Sequence, residues 1–210
     1  MPTAPMPPAP PVLQVIGIIG GVASGKSLAA EYLRQAGAAV LDGDRAGHEV
    51  LREPDVITAA VQRWGAGILG EDGQINRSRL ADIVFAPTVA GAEELTFLEK
   101  LTHPRIRRRL QDEIEKLKQE GKVRVAVLDA PVLMKTDWGR FCDKLLFIDA
   151  PQSMRLERAA SRNWVADELL RREAAQVPVG EKRGKADVII ENSGSTERFR
   201  EQIQDFWDSL

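Results

Sequence analysis

At 210 residues, 43% hydrophobic and 29% charged, the chain suffices for one α/β domain and needs no disulfide or structural metal to hold its core. Its net charge of −2 and aromatic content of 5% argue against a nucleic-acid-binding module or a draw to anionic membranes. The single cysteine, Cys142, excludes an internal disulfide and a cysteine-rich zinc site, and it suits a reducing cytoplasm.

Residues 1–11, rich in Pro and Ala, read as a disordered or polyproline-like tail without the basic start and apolar centre of a signal peptide. No apolar run approaches the ~20 residues that cross a bilayer. Val12 to Ile19 is a β-branched run of the kind buried on both faces of a parallel sheet, and it ends at Gly20. Leu28, Leu33 and several alanines then predict a short helix stopping at Gly37. Ala38 to Leu41 is a second apolar run, closed by Asp42-Gly43-Asp44.

From about 46 to 121 the chain is rich in helix formers and turns and contains no convincing strand. Leu95, Leu98, Leu101, Ile106, Leu110, Ile114 and Leu117 predict an amphipathic helix broken near Pro104. Strands resume at Val123–Leu128, ending in Asp129, and at Leu145–Ile148, ending in Asp149. A basic helical stretch follows from Ser153 to about Ala175, then a strand at Val188–Ile190 and a closing helix with Phe199, Ile203, Phe206 and Leu210 on one face. Strands alternating with helices predict a parallel, doubly wound sheet.

Gly20-Gly21-Val22-Ala23-Ser24-Gly25-Lys26-Ser27 satisfies G-x-x-x-x-G-K-[ST], with a buried strand leading in and a helix leading out. Glycines let backbone amides wrap an anion, and the helix start aims its free N–H groups at the same phosphates. Lys26 adds a mobile charge at the β/γ boundary, Ser27 offers a hydroxyl to Mg²⁺, and the Leu28 amide faces the α-phosphate. This is the chemistry of nucleotide-phosphate binding with Mg²⁺, the alternative being a glycine-rich strand-to-helix turn with no ligand. Ala23 is tolerated there if its φ stays negative.

Carboxylates at strand ends lie on the edge where open α/β sheets bind ligands. Asp42 and Asp44 either both point into the cleft, where a carboxylate can take a proton from an attacking hydroxyl, or one of them, Asp44, caps the next helix. Asp129 is either a metal-side carboxylate or a cap, and Asp149 reads as a cap. Arg155, Arg158 and Arg162 can share a helical face, either as a movable arginine lid or as a solvated surface paired with Glu157. The Arg105–Arg109 cluster reads as mixed-charge helix surface. His48 and His103 have no second ligand at metal spacing, and structural or binding roles are both open to them. Asn192 to Gly194 is a candidate for the adenine side.

Taken together, Ile18 to Ser27, Asp42-Gly43-Asp44 with His48 and Val50-Leu51, and Gly73 with Asn76-Arg77 resemble the dephospho-CoA kinase family. So do His103-Pro104, Asp129-Ala130-Pro131-Val132-Leu133, and Ala186-Asp187-Val188-Ile189 with Asn192 and Gly194, in order and spacing along nearly the whole chain after the tail. The resemblance implies ATP-dependent phosphorylation of the ribose 3′-hydroxyl of dephospho-CoA, with Mg²⁺. It also implies a three-layer phosphate-loop α/β sandwich (core 12–45 and 122–210) with a helical substrate-side insertion at about 46–121 and a lid at about 155–183. On that mapping Asp44 is the base and Arg158 and Arg162 are lid arginines, while His48, Arg77 and His103 line the acceptor site. The expected partner is a small molecule, and the expected state is a cytoplasmic monomer.

Three positions depart from the family pattern: Ile19 stands where Thr is usual, Ala23 where Gly is common, and Lys135 where Glu often follows the Pro-Leu-Leu segment. Rival readings are a kinase of the same build acting on a nucleoside monophosphate or shikimate, and a non-catalytic nucleotide switch. A guanine-reading switch is disfavoured because Met134-Lys135-Thr136-Asp137 lacks the Asn that would read the base.

Overall fold

The computed structural model describes residues 12–161, 164 and 166–210; the Pro-rich tail at 1–11 lies outside them. The described residues fall into two compact units. One runs to Asp42 and resumes at Glu113–Leu210, and the other is Gly43–Asp112.

In the first unit, the apolar run after Val12 becomes strand β1 (Gln14–Gly20), buried at nearly every position. Helix α1 (Lys26–Ala36) and strand β2 (Ala39–Asp42) follow. Strands β3 (Val125–Asp129), β4 (Lys144–Asp149) and β5 (Val188–Glu191) complete a parallel sheet of order β2-β3-β1-β4-β5. β1 is central, and the chain leaves it towards β2 on one side and later reaches β4 on the other. The loop after β1 therefore sits where the strand order reverses, the usual ligand crevice of such sheets. Register puts Ile18 beside Asp129 and Asp42 beside Asp129, so both carboxylates end their strands at that same edge.

One face of the sheet is covered by α1 and by helix α9 (Thr196–Asp208). Ile16, Ile18, Val127 and Ile148 pack there against Leu33, Phe199, Ile203 and Trp207. On α9 it is Trp207, rather than the expected Leu210, that completes the buried stripe; Leu210 packs at its margin.

The basic helical stretch expected from Ser153 to about Ala175 holds two helices, α6 (Gln152–Ala160) and α7 (Ala166–Ala174). Ser161 caps the end of α6, its hydroxyl donating to the Arg158 carbonyl at 2.8 Å, a local bond that competes with helix continuation. The short helix α8 (Val179–Gly184) leads into β5.

The second unit holds α2 (Gly43–Val50), α3 (Pro54–Trp64), α4 (Arg77–Val84) and the larger part of α5 (Val89–Glu120). Its described residues form no strand, only an isolated bridge between Leu69 and Ile75. Val56, Ala60, Leu80, Val84 and Ile106 are buried. Arg109 pairs with Glu49 and Glu53, and Arg105 with Asp55, so this basic cluster serves to tie α5 to α2 and α3. The break expected at Pro104 does not occur. Pro104 removes the amide that would donate to the Lys100 carbonyl and strains the preceding turn, yet α5 runs on; the neighbouring Leu101 carbonyl accepts from Arg105 Nη1 at 2.7 Å.

Candidate active site

The phosphate loop begins at the end of β1 and closes into α1. Gly25 is the N-cap of α1 at φ +105, and a Cβ there would lie 2.2 Å from Asn192 Nδ2, so only glycine fits. The first turn of α1 carries no acidic residue, leaving the helix's free amides open to an anion. Ala23 sits at φ +59, so the negative φ on which its tolerance is conditional is not met. The loop's curvature imposes this left-handed conformation at a cost of roughly 1–2 kcal/mol.

The loop is held from behind by two side chains. Asn192 Nδ2 donates to the Ser24 carbonyl at 2.8 Å, and Arg158 Nη1 donates to the same oxygen at 3.2 Å. Arg158 Nη2 also donates to the Asn192 backbone oxygen at 2.9 Å. Two predicted residues from distant parts of the chain thus meet at one loop carbonyl. The Ser24 hydroxyl is buried without a hydrogen-bond partner. Val22 and Ala23 pack against Leu156, Ala159, Trp164 and Leu169, which seats α6 and α7 on the loop. Arg162 lies outside the described residues.

Lys26 is turned onto the loop itself, its ammonium donating to the Gly21 carbonyl at 2.8 Å. On the same side, the Val22 amide donates to Glu173 Oε1 of α7 at 3.1 Å. Arg155 of α6, buried to 7% exposure, donates to that same carboxylate and to the Ala150 carbonyl. Arg155 is therefore no part of a solvated face paired with Glu157. Lys182 of α8 is 4% exposed and donates to the Gly20 carbonyl at 3.2 Å and to Gln176 Oε1 at 2.7 Å. Burial, reinforced by the charge of Lys26 and only partly opposed by Glu173, pushes its ammonium down to about 8.

Glu173, Gln176 and Lys182 escaped the sequence reading. Each stands in a charged, polar stretch that reads as solvated, and nothing local marks the tertiary burial.

Asp129 ends β3, and the next helical turn, Asp137–Phe141, is capped by Thr136, so Asp129 has no adjacent helix to cap. Asp149 does not cap α6, whose N-cap is Pro151 without a side-chain bond. Its carboxylate accepts from Arg183 Nε at 3.2 Å instead. Asp44 lies in the first turn of α2, two residues beyond Asp42 in the chain. In the same unit Arg77 Nη1 donates to His48 Nδ1 at 3.4 Å, so two residues assigned to the acceptor side meet; His103 lies on α5.

Among the described residues no group of three or more His, Cys, Asp or Glu is placed to hold a metal by itself. The hydroxyl of Ser27 and the carboxylate of Asp129 are hard oxygen donors. They fit a magnesium ion that brings most of its ligands from water and phosphate.

The family model for dephospho-CoA kinase matches residues 14–198. A dephospho-CoA kinase from Carboxydothermus hydrogenoformans is 38% identical over 186 residues, 88% of this chain and 88% of that protein. One from Aquifex aeolicus is 37% identical over 193 residues, 91% of this chain and 94% of its own length. Among solved structures, TT1252 from Thermus thermophilus superposes with a TM-score of 0.78 at 30% identity, covering 95% of this chain and 98% of that one. The dephospho-CoA kinase from Campylobacter jejuni, at 23% identity and a TM-score of 0.66 over 93% of this chain and 96% of its own, shares the fold. With a phosphate loop between β1 and α1 and a family match along nearly the whole chain, this protein belongs to the dephospho-CoA kinase family.

Proposed function

We infer that the protein transfers the γ-phosphoryl group of ATP to the ribose 3′-hydroxyl of dephospho-CoA, yielding CoA and ADP, the last step of CoA synthesis. The observation that carries this is the Gly20–Ser27 loop, placed at the reversal point of a parallel sheet in a chain of this family.

The loop amides and the Leu28 amide bind the nucleotide phosphates, and Lys26 leaves the Gly21 carbonyl to follow the β- and γ-oxygens. Asp44 accepts the proton of the 3′-hydroxyl as its oxygen attacks the γ-phosphorus. The bond to the β–γ bridging oxygen breaks, and ADP departs with that oxygen. Arg158 keeps the loop in shape through Ser24, and with Arg162 it forms the arginine side of the lid. Asn192 serves the nucleotide side. His48, Arg77 and His103 hold the acceptor, the Arg77–His48 contact supporting a shared role. Magnesium, when bound with the nucleotide, neutralises phosphate charge, and Ser27 and Asp129 are the side chains that would hold it. The reading includes a monomer acting in the cytoplasm, a setting that a lone thiol suits.

The test is an acceptor panel with Mg²⁺-ATP: dephospho-CoA, AMP, CMP, TMP, uridine and shikimate, followed by ADP release. ADP release with dephospho-CoA alone is expected. Turnover on another acceptor instead would overturn the substrate assignment. Asp44→Asn is expected to abolish transfer while ATP still binds; normal turnover by that variant would remove Asp44 from the role of base.

A further inference from the structure

Two ammonium groups converge on one carbonyl at the mouth of the loop. Lys182 Nζ lies 3.2 Å from the Gly20 oxygen, and Lys26 Nζ lies 3.5 Å from it. Their prospects differ once a nucleotide arrives. Lys26 must turn away to follow the phosphates, whereas Lys182 is held by Gln176 Oε1 at 2.7 Å and is enclosed at 4% exposure.

The peptide joining Gly20 to Gly21 has glycine on both sides, so it has little steric resistance to rotating as a plate. In a planar trans peptide the carbonyl of one residue and the amide of the next point in opposite directions. Whatever fixes the Gly20 oxygen therefore fixes the Gly21 N–H as well. A flipped plate would present an oxygen, rather than an N–H, to the phosphates.

We propose that Lys182 is a positioning residue of the kinase: braced by Gln176, it pins the Gly20–Gly21 peptide so that the loop keeps its phosphate-binding form when Lys26 departs for the nucleotide. This rests on the reading of the loop as the ATP site.

The charge around Lys182 agrees with that role. Lys26 of α1, Arg155 of α6 and Glu173 of α7 face it. On its own helix Glu181 is engaged by Lys185 at 2.7 Å, and Arg183 by Asp149 of β4 at 3.2 Å. Three cations against one facing carboxylate make a buried surplus of positive charge, costly without a ligand and complementary to a triphosphate. The depressed ammonium, near 8, is a consequence of that surplus.

The test measures ATP binding directly, by titration calorimetry, beside steady-state kinetics on the full chain. Lys182→Met is expected to weaken ATP binding and kcat/KM for ATP by about tenfold or more, with KM for dephospho-CoA at saturating ATP unchanged and the fold intact. Unaltered ATP affinity, or equal losses for both substrates, would overturn the proposal. If wild type binds ATP but fails on dephospho-CoA, the substrate reading falls while the Lys182 comparison still stands.

Gln176→Glu covers the case in which Lys182→Met does not fold. A carboxylate beside the ammonium raises its proton affinity, so the alkaline limb of kcat/KM for ATP should move up from near 8 by about one pH unit. A merely structural lysine would leave that limb where it is, and that result would sink the idea.

Discussion

Glu173 engages an amide of the phosphate loop. Its carboxylate accepts from Val22 N–H and is held there by Arg155, so on the proposed reading of the loop nucleotide binding exchanges one anion for another. Glu173→Gln removes the competing charge, and KM for ATP should fall several-fold. The same change leaves Arg155 buried beside a neutral partner, and the nucleotide-free protein should melt lower. A thermal scan with and without ATP reads both effects: a lower start and a larger rise. An unchanged KM would mean that Glu173 yields the amide at no cost. Cys142 offers a control of another kind. Burial, with the nearby Asp143 charge, pushes its thiol up to about 12, so alkylation at pH 8 should be slow in the folded protein and fast in denaturant.

At the scale of elements, the strand–loop–helix unit tolerates little change. Gly25→Ala would put a Cβ 2.2 Å from Asn192 Nδ2 at a φ of +105, and ATP binding should be lost while far-UV dichroism stays near wild type. Gly17 lies deeper, where a Cβ would meet Cys142 Sγ at 2.7 Å and Leu133 Cδ2 at 2.8 Å. Gly17→Ala should cost about 1–3 kcal/mol in denaturant unfolding, since those side chains must shift inside a packed core.

These elements are also where the sequence was most legible. The β-branched run before Gly20, the glycine spacing and the Asp that ends β2, β3 and β4 are local signals, and the sheet follows them closely. The failures share a cause. Pro104 did not break α5, which Arg105 and Arg109 tie to α2 and α3 just beyond the proline, contacts that a one-dimensional rule cannot see. Asp149 turned to Arg183, and Ala23 took a left-handed φ that loop curvature imposes from outside the residue. Lys182 is buried and Glu173 half-buried by contacts more than 150 positions apart in the chain, which no local pattern announces.

For the whole molecule, the buried lysine makes stability depend on pH. Lys182 has a folded value near 8 against 10.5 in its ordinary state, so between those values the unfolded chain binds the extra proton. Stability from this group therefore rises as pH goes from about 8 to about 10.5, and the cost of burying the charge is fully present below 8. Lys182→Met should flatten that rise in urea midpoints taken across the range, and at pH 7 it should not destabilise the fold by more than the lost hydrogen bonds. Such a device makes sense in a molecule that stores positive charge for an incoming anion: ATP, by binding only the folded chain, should raise the melting temperature with concentration.

The most direct measurement follows the γ-phosphorus itself. Dephospho-CoA is incubated with Mg²⁺ and γ-labelled ATP, and the product is isolated for mass and for the position of its label. One labelled phosphate is expected on the ribose 3′-oxygen, stoichiometric with ADP, and none with Lys26→Ala although that variant folds. Label released as inorganic phosphate, found on another oxygen, or still transferred at the wild-type rate by Lys26→Ala would rule out transfer at this loop to that hydroxyl.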